Sequence, residues 1–400
     1  MSIQVDTPNF RAIITDELKR VIQLFQENNY QIRLVGGVVR DVLLDKVAKD
    51  IDLATDATPD QMIEILKKNE IKYVETGLQH GTITVIINKA IFEITTLRID
   101  AITDGRHAQV QFTNDWRIDA ERRDLTINAM SLSIDGTLFD YFNGREDLIN
   151  RRIIFVGNTR KRIQEDYLRI LRYFRFYGRI AANADSHDPD ILQEIRHTAA
   201  GLEKIASERI WMEMSKILVG NFAPDLLRLM YDLGVASHIN LPKDGNVEEF
   251  QAIWDRMRNY KPQPAVLLAS LVNSVSSAEA LARTWKLSNV ERFLMKFITG
   301  KRQNHYTILK QYQDLLFDKE TMSRDHIIQL MYYNGHSQLV DDINNWVIPK
   351  FPIGGNDLKS LGHKPGPQFK RTLDMLKKHW MDTNYKTTKE ELLMLIQSNK

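Results

Sequence analysis

The pattern of apolar and polar residues changes character near residue 160. Before that point the chain carries short β-rich runs: IRLVGG, DIDLAT, IKYVET, GTITVII, AIFEITTLR and QVQFT. A stretch with apolar residues at helical spacing, residues 11–28, precedes these runs, and a second, residues 59–69, lies between DIDLAT and IKYVET. Beyond residue 160 one helical pattern follows another with almost no strand signal. The pattern predicts an α+β head followed by an all-helical remainder.

The composition is typical of a globular protein without membrane spans. Of the 400 residues, 43% are hydrophobic and 26% are charged, and no apolar run approaches the roughly 18 residues that a membrane span needs. The N-terminal sequence MSIQVDTPNF lacks the basic and hydrophobic segments of a secretory signal. The chain has no cysteine, so disulfides and thiolate metal sites are excluded. We expect a cytoplasmic protein with no membrane partner.

Residues 34–53, LVGGVVRDVLLDKVAKDIDL, combine groups suited to phosphate with groups suited to a cation. Asp50 and Asp52 are two positions apart in a strand-like run, so we expect both side chains on one face, about 6.6 Å apart. Such a pair can share hard divalent cations. The Gly-Gly turn at 36–37 lets a phosphate approach the backbone, and Arg40 follows near the start of a helix. Paired acids alone are common at strand ends, but this combination indicates a site for a triphosphate and its magnesium ion.

The stretch at residues 151–179 is strongly basic, with nine Lys or Arg against two acids, a net of +7. Its apolar residues recur at helical spacing and predict one long helix. Charged residues step by three along a second ridge of that helix: Asp166, Arg169, Arg172 and Arg175. An ion-paired surface helix would show the same pattern. In a chain of net charge +2, however, such a cluster favours an anionic partner.

Three further segments carry weaker signals. AERRDLTINAMS at 120–131 places Arg122, Arg123 and Asp124 before an apolar run, and a solvated capping cluster would look similar. DYFNGREDL at 140–148 contains an Asn-Gly tight-turn signal, which we assign a structural role. TDGRHAQVQFT at 103–113 predicts a mobile loop.

The segments GGVVRDVLL and KDIDLAT resemble the signature of the polymerase-β nucleotidyltransferase superfamily. Together with RRDLTINA and EDYLR they resemble more narrowly the class II tRNA CCA-adding enzymes, of bacterial type, and the related bacterial poly(A) polymerases. The resemblance is close from residue 34 to 179 and looser beyond, where GGNDLKSLGHKPGP is similar to the RNA-binding tail of the family. It implies a polymerase-β-like head sheet with helices at 1–151, followed by an all-α neck at 152–213, body at 214–290 and tail at 291–400.

The resemblance also implies roles for individual residues. Asp50 and Asp52 would be the catalytic carboxylates and Mg²⁺ ligands, while the nucleotide-binding residues would be Gly37, Arg40, Arg123, Asp166, Arg169, Arg172 and Arg175. Within that set, the Asp and Arg of EDYLR would read the base. Cytosine and adenine both offer an amino donor beside a ring-nitrogen acceptor, which suits a carboxylate and a guanidinium, whereas guanine and uracil offer the reverse. Glu93 is left open between a third acid of the site and a structural residue.

The activity that the resemblance implies is addition of C, C and A to the 3′ end of tRNA from CTP and ATP, without a nucleic-acid template. A poly(A) polymerase, an enzyme that adds only C or only A, and a catalytically inactive RNA-binding protein remain as alternatives. The short chain ends and the intact loop before RRD favour the first reading, and the intact acid pair disfavours the last. The sequence shows no His-Asp cluster typical of an appended HD phosphohydrolase domain. A homodimer is expected from the resemblance alone.

Overall fold

The computed structural model describes residues 3–48, 50–103, 108–302, 306–318 and 323–397. Its strands are β1 (Ile3–Gln4), β2 (Ile32–Val35), β3 (Asp52–Thr55), β4 (Lys72–Gly77), β5 (Thr82–Ile87), β6 (Ala90–Thr96), β7 (Arg98–Thr103), β8 (Ala108–Phe112), β9 (Ser131–Leu132) and β10 (Thr137–Phe139). Its first helices are α1 (Pro8–Ile13), α2 (Asp16–Glu27), α3 (Gly37–Leu43), α4 (Pro59–Lys68), α5 (Trp116–Glu121), α6 (Gly144–Ile149), α7 (Thr159–Glu165) and α8 (Arg169–Ile180).

The rest of the described chain is helical. The α-helices are α9 (Pro189–Thr198), α10 (Ser207–Leu218), α11 (Ala223–Asp232), α12 (Val235–His238), α13 (Val247–Met257), α14 (Pro264–Ser270), α15 (Val275–Thr284), α16 (Asn289–Lys301), α17 (Leu309–Asp318), α18 (Arg324–Asn334), α19 (Val340–Asn345), α20 (Gly355–Ser360), α21 (Pro367–Asp382) and α22 (Lys389–Gln397). Short 3₁₀ helices include Thr126–Asn128 and Ala199–Lys204. No helix within these ranges is both long enough and apolar enough to cross a membrane.

One mixed sheet organises the N-terminal part. Its strand order is β1-β10-β9-β2-β3-β6-β5-β4. Strands β3 and β6 run parallel and the other neighbours run antiparallel, while β7 and β8 form a separate antiparallel pair. Helices α2 and α3 pack against β2, all four residues of which are buried. The predicted α+β head with a helical remainder is therefore confirmed, and each of the six β-rich runs forms a strand.

Two stretches that the pattern predicted as continuous helices are interrupted. In residues 11–28, α1 ends at Ile13, and the Thr15 hydroxyl caps α2 by accepting from the Leu18 backbone N–H at 3.2 Å. In the basic stretch, α7 ends at Glu165 and α8 begins at Arg169. A side chain bonds to a backbone N–H at each break: Thr15 caps α2, and the Asp166 carboxylate accepts from the Leu168 N–H at 3.2 Å. Thr and Asp compete with the helix for such N–H groups.

The Asn-Gly turn is shaped by a carboxylate and by close backbone packing. Asn143 adopts a left-handed conformation with φ 59°. Asp140 accepts hydrogen bonds from the backbone N–H groups of Gly144 and Arg145, each at 2.9 Å. A Cβ atom on Gly144 would lie 2.1 Å from the carbonyl oxygen of Thr126. Position 144 therefore needs glycine for space.

The chain divides into two compact units. The first comprises Met1–Val247 and Ala280–Ser288, and the second Glu248–Glu279 and Asn289–Lys400. One core cluster of the second unit is Ile353, Leu358, Leu376, Trp380, Leu392 and Ile396. The finer division into head, neck, body and tail stays a prediction. Of the predicted loop at 103–113, residues 104–107 lie outside the described part of the chain and 108–112 form β8.

A buried ion pair links α8 to the segment that follows α5. The Nε atom of Arg172 donates to Asp124 at 2.5 Å, and Asn128 donates to the other carboxylate oxygen at 3.1 Å. Burial works to raise the pKa of Asp124, but the charge and hydrogen bond of Arg172, with the bond from Asn128, outweigh it. The pKa of Asp124 therefore lies below its usual value. Both partners stay charged at neutral pH.

Substitution of Gly144 by alanine is expected to destabilise the fold by about 2–3 kcal/mol, because the new methyl group forces backbone atoms apart. Gly355 provides the matched control, since it also begins a six-residue helix. A Cβ atom there would lie 3.7 Å from the Phe369 ring, an ordinary contact. Gly355→Ala should change the free energy of unfolding by less than about 1 kcal/mol. Urea unfolding of both variants checks this, and equal effects would contradict the assignment.

Replacement of Arg172 by methionine is expected to cost about 3 kcal/mol, because Asp124 loses its counterion while still buried. Arg160→Met removes an exposed pair with Glu194, at 2.6 Å, and should cost less than about 1 kcal/mol. The free energies of unfolding, measured at neutral pH without nucleotide, compare the two. An Arg172→Met protein as stable as Arg160→Met would show that the pair does not hold the two segments together.

Candidate nucleotide-binding and catalytic site

A cavity of about 530 Å³ in the first unit collects most of the residues that the sequence singled out. Its lining includes eight of the nine predicted site residues: Gly37, Arg40, Asp52, Arg123, Asp166, Arg169, Arg172 and Arg175. The ninth, Asp50, is exposed and does not contribute to the lining. Segments that are more than a hundred residues apart in sequence thus meet around one space.

The glycine turn and Arg40 are part of the cavity lining. Gly36 has φ +69° and ψ −120°, a conformation that glycine adopts without the penalty a side chain would cause. Arg40 is buried and donates to the carboxylate of Asp41 and, at 2.6 Å, to the side-chain oxygen of Asn128. Burial lowers the pKa of Arg40 from its usual value. The guanidinium is therefore held in place before any ligand arrives.

The acids lie beside the glycine turn, with a geometry that differs from the sequence prediction. Strand β3 begins at Asp52, and Asp50 precedes it in a bend, so the prediction that both acids lie on one strand was wrong. Asp52 instead lies opposite Glu93 in the parallel register of β3 and β6. Desolvation raises the pKa of Asp52, and the negative charges of Glu93 and Asp50 raise it further, while Arg123 lowers it. These charges make the surroundings of Asp52 attractive to a cation.

The donor chemistry of these acids fits a hard divalent cation. Among the described residues, no three or more His, Asp or Glu form a ready-made metal cluster. A magnesium ion does not need one, because proteins commonly hold it with one or two carboxylates together with substrate phosphates. The carboxylates near Asp52 meet that requirement.

Asp166 and Arg169 also line the cavity. Asp166 has an extended backbone in the break between α7 and α8, so it does not lie on a helical ridge as predicted. Both of its carboxylate oxygens accept hydrogen bonds from Arg209 of α10, at 3.3 and 2.7 Å. Arg169 donates to Glu165 at 2.7 Å and to the Arg122 carbonyl at 2.7 Å. Both side chains are oriented by protein partners.

Sequence reasoning missed several residues of the lining, of which Arg209 and Phe176 matter most. No spacing rule relates position 209 to position 166, and their meeting depends on the packing of α10 against α8. The Phe176 ring lies near three guanidinium groups: its centroid is 5.0, 5.5 and 4.3 Å from the Cζ atoms of Arg40, Arg172 and Arg175. An aromatic residue at helical spacing looks like any core residue in a sequence, so it gave no signal.

The wall of the cavity consists mainly of hydrogen-bond donors. Eight arginines line it: Arg40, Arg98, Arg122, Arg123, Arg169, Arg172, Arg175 and Arg209. Three acids share the lining, Asp52, Asp124 and Asp166. Such a surface suits a ligand with several negative charges, because guanidinium groups bind phosphate oxygens through charge-assisted hydrogen bonds.

A second cavity, of about 280 Å³, adjoins the same acids. It shares Asp52, Arg98, Arg122 and Arg123 with the first cavity, and Glu93 contributes only to the second. The Thr82 and Thr95 hydroxyls, which are 3.0 Å apart, also line it. Asp52 is therefore accessible from two spaces.

Comparison with known proteins finds relatives that match the whole chain. A family model described as the Poly A polymerase head domain matches residues 32–154, and one described as a probable RNA and SrmB-binding site of polymerase A matches residues 187–242. The mitochondrial CCA tRNA nucleotidyltransferase 1 of Danio rerio is 43% identical, over 100% of this chain and 94% of that protein. The corresponding Homo sapiens protein is 44% identical, over 99% and 93%.

A solved structure extends the likeness to the fold. The Bacillus stearothermophilus CCA-adding enzyme in complex with CTP superposes with a TM-score of 0.78 at 26% identity, covering 98% of both chains. The two animal relatives are more similar in sequence than this bacterial one, so the similarity supports the family and not a specifically bacterial type. The chain belongs to the class II CCA tRNA nucleotidyltransferase family of enzymes.

Proposed function

We propose that this chain adds C, C and A to the 3′ end of tRNA from CTP and ATP, without a nucleic-acid template, and releases pyrophosphate. One observation carries the proposal. The lining of the described cavity combines an acid beside a glycine turn with the Asp166–Arg169 pair, in a chain that resembles CCA tRNA nucleotidyltransferases along its whole length. A nucleoside triphosphate would place its phosphates at the glycine turn and its base at the pair.

Different residues of the cavity would bind the phosphates and the base of the nucleotide. The Gly37 backbone and the guanidinium groups of Arg40 and Arg123 would hold the triphosphate. Asp166 would accept from the exocyclic amino group of cytosine or adenine, while Arg169 donates to the adjacent ring nitrogen. Arg172 and Arg175 would support this arrangement from α8. Uracil and guanine would present acceptor to acceptor and donor to donor, so the protein itself acts as the template.

The polymerase-β-type family of this head uses a divalent metal, and we propose Mg²⁺ held by Asp50 and Asp52. The raised pKa of Asp52, caused by desolvation and by neighbouring negative charge, supports a cation there. When bound, the ion would lower the pKa of the attacking 3′ hydroxyl and neutralise charge on the reacting phosphate. Asp50 and Asp52 would hold the ion, and Arg123 lines the same cavity as Asp52.

The acceptor end of tRNA would reach Asp52 from the second cavity, since the first is filled by the nucleotide. Tail residues 359–400 carry nine Lys or Arg against four acids and would add phosphate contacts independent of sequence. A homodimer and a cytoplasmic location stay predictions. Because the names of the animal relatives include "mitochondrial", cell fractionation is the measurement that tests the location.

A bacterial-type poly(A) polymerase is the second candidate, since the matching head model carries that description. It would bind ATP in the same cavity and would not stop after one A. A catalytically inactive RNA-binding protein would need neither the acids nor the base-reading pair. Product length separates all three.

Incubation with tRNA that lacks its 3′ CCA should extend the RNA by C, C and A and then stop. Supplied with CTP alone, the protein should add two residues, and tRNA that already ends in CC should accept one A. Denaturing gels with each nucleotide in turn measure this. A long A tail would support the poly(A) polymerase, and no extension would support the inactive scaffold.

Alanine at Asp50 or at Asp52 should lower turnover by roughly 1,000-fold, the equivalent of several kcal/mol of lost transition-state stabilisation. Asp60→Ala is the matched control, because Asp60 is an exposed acid in the first turn of α4 and should leave turnover unchanged. Circular dichroism establishes that all three variants are folded. A folded Asp52→Ala protein with normal turnover would refute the metal assignment, as would full activity in excess EDTA.

A further inference from the structure

The turn that carries Asp166 and Arg169 rests on a glycine from another segment. Residues 166–168 connect α7 to α8 without helical structure. The Tyr167 ring in this turn lies against Gly201, in the 3₁₀ helix Ala199–Lys204. A Cβ atom on Gly201 would lie 1.9 Å from Cε1, 2.0 Å from Cδ1 and 2.4 Å from Cγ of the tyrosine. The ring occupies the space that any other residue at 201 would need.

Backbone conformation does not explain the glycine. The φ angle of Gly201 is not positive, so residues with side chains could adopt its conformation. Gly201 is buried, and its nearest neighbours at the position of a side chain are all atoms of the Tyr167 ring. Position 201 therefore needs glycine because the tyrosine ring leaves no space for a side chain, and not because of the backbone conformation.

The Tyr167 ring in turn anchors a compact hydrogen-bonded unit. The Leu168 N–H donates to the Asp166 carboxylate at 3.2 Å, and the Arg169 N–H donates to the Asp166 carbonyl at 2.9 Å. The Ile170 N–H donates to the Tyr167 carbonyl at 3.1 Å. Because these bonds tie consecutive residues together, a displacement of Tyr167 moves Asp166 and the start of α8 with it.

The segment that contains Gly201 holds the turn at a second point. Eight residues further on, Arg209 forms two hydrogen bonds with the Asp166 carboxylate. Lys204 lies over the Tyr167 ring, with its Nζ atom 5.6 Å from the ring centroid. Residues 201–209 therefore contact both the Tyr167 ring and the Asp166 carboxylate.

We infer that Gly201 and Tyr167 are positioning residues for nucleotide selection: the fit of the ring on the glycine fixes where Asp166 and Arg169 present their hydrogen-bonding groups. The inference rests on the proposed function of that pair. Neither residue lines the cavity, so both act through the turn. Discrimination between C or A and U or G depends on donors and acceptors within a fraction of an ångström, and a shift of about 1 Å costs on the order of 100-fold in rate.

Gly201→Ala tests the inference most directly. We expect the ratio of kcat/KM for CTP over UTP to fall by about 10- to 100-fold, since the methyl group displaces the turn. The KM for tRNA should stay unchanged, because Gly201 is buried, so it does not contact tRNA, and it lines neither cavity. Tyr167→Phe is the matched control: it keeps the ring and should keep the wild-type ratio.

A double-mutant cycle separates positioning from general damage to the fold. Tyr167→Ala removes the ring and should also lower the ratio, because the turn loses its anchor. Adding Gly201→Ala to Tyr167→Ala should cause no further loss, since the methyl group then has space. If Gly201→Ala does not fold, Tyr167→Ala still provides the test. A folded variant of either kind with wild-type selectivity, or equal effects of Gly201→Ala with and without the ring, would overturn the inference.

A binding measurement distinguishes a failure of this inference from a failure of the proposed function. Calorimetric titration of each protein with CTP and with UTP, without tRNA, reports selectivity with no turnover. Wild-type protein that prefers CTP but does not extend tRNA would refute the proposed function alone. Wild-type protein that adds CCA, together with variants that keep the preference for CTP in titration and turnover, would refute only the role of Gly201 and Tyr167.

Discussion

Eight arginines line one cavity and repel one another, and the rest of the site must compensate for this repulsion. Guanidinium groups this close together are costly to bury unless each has a counterion. Carboxylates pair with these arginines: Asp41 with Arg40, Asp119 with Arg122 and Arg123, Glu165 with Arg169, Asp124 with Arg172, Glu213 with Arg175 and Asp166 with Arg209. Four of these acids, Asp41, Asp119, Glu165 and Glu213, do not line the cavity. Acids outside the lining balance the positive charge of the arginines, while the N–H donors of the arginines remain along the wall of the cavity.

This balance ties the site to the packing of the whole first unit. Asp41 of α3 accepts from Arg179 at the far end of α8, at 3.0 and 2.9 Å, and Asp124 accepts from Arg172 of the same helix. The Arg162 guanidinium donates to the carbonyl of Glu121 at 2.8 Å. The sheet supplies Asp52 and Glu93, beside the proposed metal position. The groups proposed to read the base come from α8 and from the turn that precedes it. The cavity therefore exists only where both have folded together.

The sequence predicted what depends on local chemistry and failed where distant segments meet. The glycine turn, the β-rich runs and the Asn-Gly turn follow from backbone preferences, so each was predictable. The break at Asp166 was missed, because apolar periodicity continues across it and only the capping side chain reveals it. Asp50 was placed on a strand that in fact begins at Asp52. Arg209 and Gly201 gave no local signal, since their importance comes from what α8 and its preceding turn place against them.

Asp119 shows how far the reach of one buried side chain extends. Its carboxylate accepts from the guanidinium groups of Arg122 and Arg123 and from the backbone N–H of Arg98. Those three arginines line both cavities, whereas Asp119 lines neither. A single acid therefore positions the side chains that lie between the two cavities. A survey of inherited variants that considers only residues lining a cavity would miss this aspartate. Its loss would nevertheless disturb both cavities at once.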